Sequence, residues 1–292
     1  MKRSFSFTNL MLVAGLVFLY VPMLILVIYS FNESRLVTVW AGFSGKWYLE
    51  LFRDDQLMAA VWTSLQIAFW TSSMAVVLGT MSAYIMTRFS RFRGKTLFNS
   101  LITAPLVMPD VIIGLSLLLL FVFMAQSIGW PQDRGMLTIW IAHVTFCTAY
   151  VTVVVSSRLR EVDVSIEEAA MDLGATPLKT FFLITIPTIA PALAAGWLLS
   201  FTLSLDDLVI ASFVSGPGST TLPMVVFSSV RLGVTPKINA LATLIILVVS
   251  LAAFIAWWLA RRADLQQREA EALKEAVAKA QFSGIGDDLI LQ

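Results

Sequence analysis

Asp110, Asp206 and Asp207 lie inside long apolar stretches, where a carboxylate is hardest to keep. An ionised acid at the centre of a bilayer costs on the order of 3 kcal/mol or more, so it needs a partner or a watered path. Asp110 falls about 13 residues, roughly 20 Å of helix, into a stretch that begins near Leu97, which puts it near mid-membrane. Asp206 and Asp207 come about 18 residues after Thr188, in the outer third of their stretch at the helical rise. No Lys or Arg lies inside these stretches. Anions without an internal cation point to a cation that passes by them, a positively charged substrate. Protonated carboxyls, helix caps and a basic residue of another subunit are the competing explanations.

Neighbouring residues on a helix diverge by about 100°, so Asp206 and Asp207 cannot both face one path. Ser200, Ser204 and Asp207 fall at helical spacing, and Gly196 and Ala211 extend that stripe. The stripe favours Asp207 for the path and leaves Asp206 to cap a broken helix or meet a neighbouring subunit. His143 lies at a similar depth. Its first reading is a neutral ring bonded to a carboxylate or a backbone carbonyl, and its second is a part in gating.

A second constellation is polar. Between Arg158 and Pro187 the sequence reads as two short helices with start and stop signals. Ser165 with Glu168 three residues on has the form of a capping box. Gly174 supplies the left-handed residue that stops a helix. Thr176 and Pro177 restart one, as cap and first-turn proline. The expected product is a rigid, exposed pair of helices shaped for a groove on another protein.

The elements that carry these residues are set by composition. The chain of 292 residues is 58% hydrophobic and 13% charged, with a mean hydropathy of +0.82. A membrane span needs roughly 20 mostly apolar residues. Six stretches qualify: Leu10–Tyr29, Ala59–Met86, Leu97–Met124, Leu137–Val155, Thr188–Val214 and Ile238–Ala260. The first follows Lys2 and Arg3 as a secretory signal would, but it is too long for a signal core and no small-residue cleavage site follows, so it is expected to remain as a span. With the N-terminus in the cytoplasm, fourteen of the 20 Lys and Arg residues fall on the inner side. The positive-inside bias therefore puts both termini and the Arg158–Pro187 loop in the cytoplasm.

Other features are plainer. The single Cys147 allows no internal disulfide, and one His and one Cys make no metal cluster. No Gly-x-x-x-x-Gly-Lys-Ser/Thr loop occurs, so ATP and Mg²⁺ would have to bind another subunit. A net charge of +1 argues against a nucleic-acid partner. Trp40, Trp47 and Tyr48 in the outer loop suit a membrane-interface belt. The basic turn from Arg88 to Lys95 suits anchoring by lipid phosphates. Pro105, Pro109, Pro187 and Pro191 are expected to break or kink their helices. Ser215–Pro223 reads as a turn, Val225–Gly233 as a short interfacial helix, and the stretch from Ala260 to Gln281 as a cytoplasmic helix.

Glu168-Ala169-Ala170, three residues, Gly174, nine residues, then Ile184-x-Ile186-Pro187 resembles the signature of ABC-importer permeases, with Ile186 in place of Leu. Ala104–Phe121, Ala142–Tyr150, Phe201–Gly218 and Asn239–Leu244 are similar to the polyamine branch of these permeases. The resemblance runs from the first span through the sixth. It implies an all-α, polytopic membrane bundle with six transmembrane helices, the type I importer permease fold, and a cytoplasmic coupling helix. By that resemblance Glu167, Glu168, Ala169, Ala170, Asp172, Gly174 and Pro187 form the element that docks on an ATPase. It further implies a second, different permease subunit, two ATP-binding subunits, a periplasmic polyamine-binding protein and a bacterial inner-membrane location. Residues 1–58 would be the first span and outer loop, 59–260 the core permease domain with the coupling loop at 158–187, and 261–292 a cytoplasmic tail. The expected function is the transport subunit, not the enzyme, of a polyamine importer. Putrescine is the first substrate; spermidine, another solute, a secondary cation transporter and a purely structural subunit are the alternatives.

Overall fold

The computed structural model describes residues 7–262, apart from positions 37, 38, 90, 234, 252, 253, 256, 257, 259 and 260. Lys2 and Arg3, and the tail helix expected to reach Gln281, lie outside the described residues. Among the described residues there is no β-strand, only an isolated bridge between Asn32 and Phe43. An all-helical chain is what a bilayer requires, since each N–H and C=O in hydrocarbon must be bonded within its own segment.

Two compact units divide the chain, Met1–Leu51 with Thr235–Gln292, and Phe52–Val234. In the first, α1 (Phe7–Tyr29) is an apolar helix, followed by a loop and α2 (Lys46–Phe52). Asn32 organises the loop: its amide donates to the carbonyl of Val39 at 2.7 Å, and its side-chain oxygen accepts from Ala41 and Ser34. Trp47 is not the interface residue expected. It is buried, and its indole N–H donates to the Asn32 carbonyl at 2.6 Å. Tyr48 likewise shares a hydrogen bond with Ser30, so only Trp40 of the three is exposed without a polar anchor. A further apolar helix, α12, runs over Pro236–Leu251 at the start of the sixth expected span.

The second unit holds α3 (Asp55–Arg88), α4 (Lys95–Val107), α5 (Asp110–Ile128) and α6 (Met136–Glu161), then α7 (Val164–Asp172) and α8 (Pro177–Thr180). It continues through a π turn (Phe181–Thr185) into α9 (Ile186–Asp206), α10 (Val209–Val214) and α11 (Leu222–Leu232). Asp54 caps α3 by accepting from the Leu57 N–H at 3.1 Å. Among the described residues, five helices are long and apolar enough to cross a membrane: Asn9–Tyr29, Asp55–Arg88, Asp110–Ile128, Met136–Glu161 and Pro177–Asp206.

Two expected spans are interrupted. The third divides at Met108-Pro109, because Pro109 has no N–H to continue the ladder and bars its predecessor from helical dihedrals. The fifth ends at Asp206, and its last part becomes α10. Pro105 and Pro191, by contrast, sit inside continuous helices.

α3, α6 and α9 pack together as the centre of this unit, with buried Ile67, Ala75, Ala83, Ile139, Val151, Val155 and Ile189 between them. Helices in a bilayer gain little from hydrophobic exclusion, so close approach of small residues decides their packing. Val151 of α6 occupies a notch made by two glycines. A Cβ on Gly79 would stand 2.6 Å from Val151 Cγ1, and one on Gly196 would stand 3.3 Å from it. α10 packs on α5 in the same manner: a Cβ on Gly114 would lie 2.7 Å from the Phe213 ring. Ser64 of α3 accepts from the Leu222 N–H at 2.7 Å and fixes the start of α11.

Gly79→Ala is expected to lower the thermal stability of the detergent-solubilised protein by about 1–3 kcal/mol, the usual cost of overpacking. Val151→Ala introduced together with it should recover part of that loss. Thermal melts of the two single variants and the double variant read the coupling directly.

Candidate functional site

The hairpin of α7 and α8 is built on explicit caps, with one shift from expectation. Asp163, not Ser165, caps α7: its carboxylate accepts from the Ser165 N–H at 3.0 Å. Only Val162 and Asp163 separate α6 from α7, so the chain is already helical at Ser165 and the capping box cannot form there. Hydrogen bonds from the backbone and side chain of Ser165 hold the Asp163 carboxyl below its ordinary range. That contribution is therefore present above the unfolded value and fades as pH falls through the folded one.

Gly174 ends α7 as expected, with φ +90°. The Ala175 N–H reaches the Ala170 carbonyl and the Gly174 N–H reaches that of Met171, so two terminal carbonyls of the helix are satisfied. Thr176 then caps α8 through the Lys179 N–H, with Pro177 in the first turn.

Glu168, Ala169, Met171, Asp172 and Gly174 are exposed on this hairpin, and Ala170 is half-buried. Leu173 and Leu178 stand out at 90% and 68% exposure. An acid beside apolar side chains on short, well-capped helices is chemically suited to a protein groove rather than to lipid or water alone. Pro187 is exposed near the start of α9.

Glu167 turns inward. Its carboxylate takes Arg88 Nη2 at 2.9 Å and Nε at 3.1 and 3.2 Å, and the Thr185 hydroxyl donates to it at 3.1 Å. Arg88 also donates through Nη1 to the Leu159 carbonyl at 3.1 Å. The basic turn read as a lipid anchor thus has its first member, Arg88, committed to the protein interior. Nothing in the sequence links positions 79 apart, although an arginine closing an apolar helix and a doubled acid on a facing loop were the available signals.

Within the spans, His143 and Asp207 come together. His143 Nε2 lies 3.1 Å from Asp207 Oδ2, and Nδ1 lies 2.8 Å from Ser204 Oγ. A carboxylate can only accept, so Nε2 carries the hydrogen toward Asp207; in a neutral ring Nδ1 then accepts from the Ser204 hydroxyl. Asp207 also accepts from the N–H groups of Ile210 at 3.3 Å and Ala211 at 2.7 Å. It therefore caps α10 across the break after α9. The cap expected of Asp206 belongs to Asp207, because the chain leaves helical geometry at Asp207, with ψ 122°.

Asp206 closes α9 and is exposed. Asp110 is exposed in the first turn of α5, after the break at Pro109. There the helix dipole and free N–H groups favour an anion, which eases the cost that a continuous span would have imposed. Gly196, Ser200 and Ser204 of the stripe read as favouring Asp207 for a path are buried in α9, and Ala211 is buried beyond the break, in α10. A cavity of about 230 Å³ at the C-terminal end of α5 is lined by Phe121, Gln126, Asp133, Arg134 and neighbours, and by none of these acids.

Residues 75–268 match the family described as binding-protein-dependent transport system inner membrane component. Over 256 residues the chain is 70% identical to the putrescine transport system permease protein PotI of Escherichia coli strain K12, covering 88% of this chain and 91% of that protein. It is 44% identical over 235 residues to the spermidine/putrescine transport system permease protein PotC of Haemophilus influenzae, covering 80% and 88%. Among solved structures, a chain of a bacterial ABC transporter that imports the acidic polysaccharide alginate superposes with a TM-score of 0.67 over 85% of this chain and 93% of that one. At 16% identity that likeness shows the fold. The broken spans, the capped hairpin and these matches agree: the chain belongs to the family of inner-membrane components of binding-protein-dependent transport systems, as an ABC-importer permease of the branch that holds PotI and PotC.

Proposed function

We propose that this chain is one of two permease subunits of an ATP-driven putrescine importer of the bacterial inner membrane. The observation that carries the reading is 70% identity, over nearly the whole chain, to a putrescine permease. Spermidine is the second reading, favoured by the 42% identity to the spermidine/putrescine permease of Escherichia coli strain K12. The larger figure ranks putrescine first.

Residues 59–260 would form the translocation path with a second permease, and a periplasmic binding protein would deliver the polyamine to the outer loops. Both termini would face the cytoplasm, a reading supported by the fourteen of 20 cationic residues assigned to that side. Two copies of a separate ATPase would bind ATP and Mg²⁺ and dock on α7 and α8, where Glu168, Ala169, Asp172 and Gly174 are exposed. Closure of the ATPases would then displace the hairpin and switch the spans between outward and inward access.

Along the path the amine meets acids. Asp110 and Asp206 are exposed and suited to weak, successive contacts with ammonium groups. Asp207 and His143 border the same break in α9, with their hydrogen bonds already supplied from within. Staged, moderate attraction suits transport, since a site that holds a dication tightly would also slow its release.

The deciding experiment is uptake of labelled putrescine and spermidine in cells with and without the gene, against sugar and sulfate controls. Loss confined to putrescine is the expected result; unchanged polyamine uptake with loss of another solute overturns it. Asp206→Asn should raise the apparent KM for putrescine by roughly tenfold, the worth of one charge-assisted hydrogen bond. Asp207→Asn, which keeps an acceptor for the α10 cap, should impair uptake less than Asp207→Ala does. Glu168→Lys should leave the membrane level unchanged and abolish co-purification of the ATPase; normal ATP-driven uptake in that variant would count against docking at this face.

A further inference from the structure

Three elements meet at one carboxylate, and Arg88 ties in a fourth. Arg88 ends α3, Leu159 lies in the last turns of α6, Glu167 is on α7, and Thr185 closes the π turn that leads into α9. The guanidinium spends Nε and Nη2 on Glu167 and Nη1 on the Leu159 carbonyl, while Thr185 binds the same carboxylate from the opposite strand of the hairpin. The Arg88 and Glu167 side chains are only 11% and 6% exposed. Tyr84 packs edge-on against Phe181 and Phe89 beside them.

We infer that the Arg88–Glu167–Thr185 cluster is the transmission of the importer: it makes the docking hairpin and the inner ends of α3, α6 and α9 move as one body, so Glu167 works by holding α7 to the spans and takes no part in touching the ATPase. The inference rests on the reading of α7 as the docking element and assigns Glu167 the opposite face from Glu168.

Physical chemistry favours this division. A short helix on two tight connections can tilt on its own when pushed, and any such tilt is motion the spans do not receive. Packing alone resists it weakly here, because most side chains of α7 face outward. A buried, forked Arg–carboxylate pair is stiff in both distance and direction. Loss of one partner strands the other charge, so the pair does not open readily. The π turn adds to the effect: its extra residue brings the Thr185 hydroxyl inward, onto Glu167, at the point where the hairpin becomes a span.

The inference makes Arg88, Glu167 and Thr185 positioning residues, and their signature is a change in the ratio of ATP hydrolysed to solute moved. In the complete transporter reconstituted with its ATPase, partner permease and binding protein, Glu167→Gln should still bind the ATPase. ATP hydrolysis should continue while putrescine uptake falls, raising ATP consumed per putrescine by about tenfold, within the usual range for coupling between two sites. Arg88→Glu combined with Glu167→Arg should return the ratio toward wild type. Thr185→Val, a near-isosteric change that removes only the hydroxyl, keeps the question answerable if the charged variants fail to accumulate; it should raise the ratio about threefold, the worth of a single hydrogen bond. A wild-type ratio in Thr185→Val and Glu167→Gln overturns the inference. Loss of ATPase co-purification in Glu167→Gln overturns it as well, by placing Glu167 on the docking face. Failure of Glu168→Lys to disturb docking would instead overturn the reading of the hairpin, whatever the ratio shows.

Discussion

A backbone inside hydrocarbon has no water to turn to, so wherever a helix stops, something within the protein must take up the freed N–H and C=O groups. This constraint decides where the chain may break and which residues stand at each break. After Asp206 the helix ends, and the Asp207 carboxylate receives two N–H groups of α10, with His143 behind it. At Met108-Pro109 the break removes a donor by using proline, and the next residue, Asp110, is an anion placed where free N–H groups converge. In the hairpin of α7 and α8 the left-handed Gly174 and the cap Thr176 satisfy the helix ends in turn. The acids that look expensive on a hydropathy plot are thus partly the solution to interrupted helices. Asp110 and Asp206 remain exposed.

Much of this was legible in the sequence because local chemistry fixes it. Gly174, Thr176 and Pro177 act on their own neighbours, and each does what its residue type dictates. The apolar stretches had to be helices, and the stripe of Gly196, Ser200 and Ser204 had to face one side. Two of the features that escaped depend on contacts between residues well apart in sequence, and two on where a helix happens to end. Trp47 looked like an interface residue until Asn32, 15 residues away, offered it a carbonyl. Arg88 looked like a lipid anchor until Glu167 approached from another helix. Ser165 and Glu168 had the form of a capping box, but α6 ends so close to α7 that Asp163 takes the position first. The cap passes to Asp207 for a similar reason, since α9 keeps Asp206 as its last residue and the chain turns at Asp207.

Close packing and polar fastening divide the labour in the second unit. Between α3, α6 and α9 the fit of Val151 between Gly79 and Gly196 leaves no room for a methyl group, so the helices meet at backbone distance. Nearer one end, hydrogen bonds take over: Thr138 to the Val214 carbonyl and Ser64 to the start of α11. Small side chains in the middle and directional bonds toward one end suit a body that must pivot without coming apart.

The π turn at Phe181–Thr185 sets something further, namely the rotational phase of α9. A π turn holds one residue more than the α-helix would need over the same rise. Were the same residues wound as an ordinary α-helix instead, everything downstream would rotate by about 100° about the α9 axis. Ser200 and Ser204 would swing out of the interior, Val151 would lose its notch, and a different edge of the helix would carry the acids. A single extra residue, in a segment whose sequence is otherwise unremarkably apolar, thereby decides which side of a thirty-residue span looks inward.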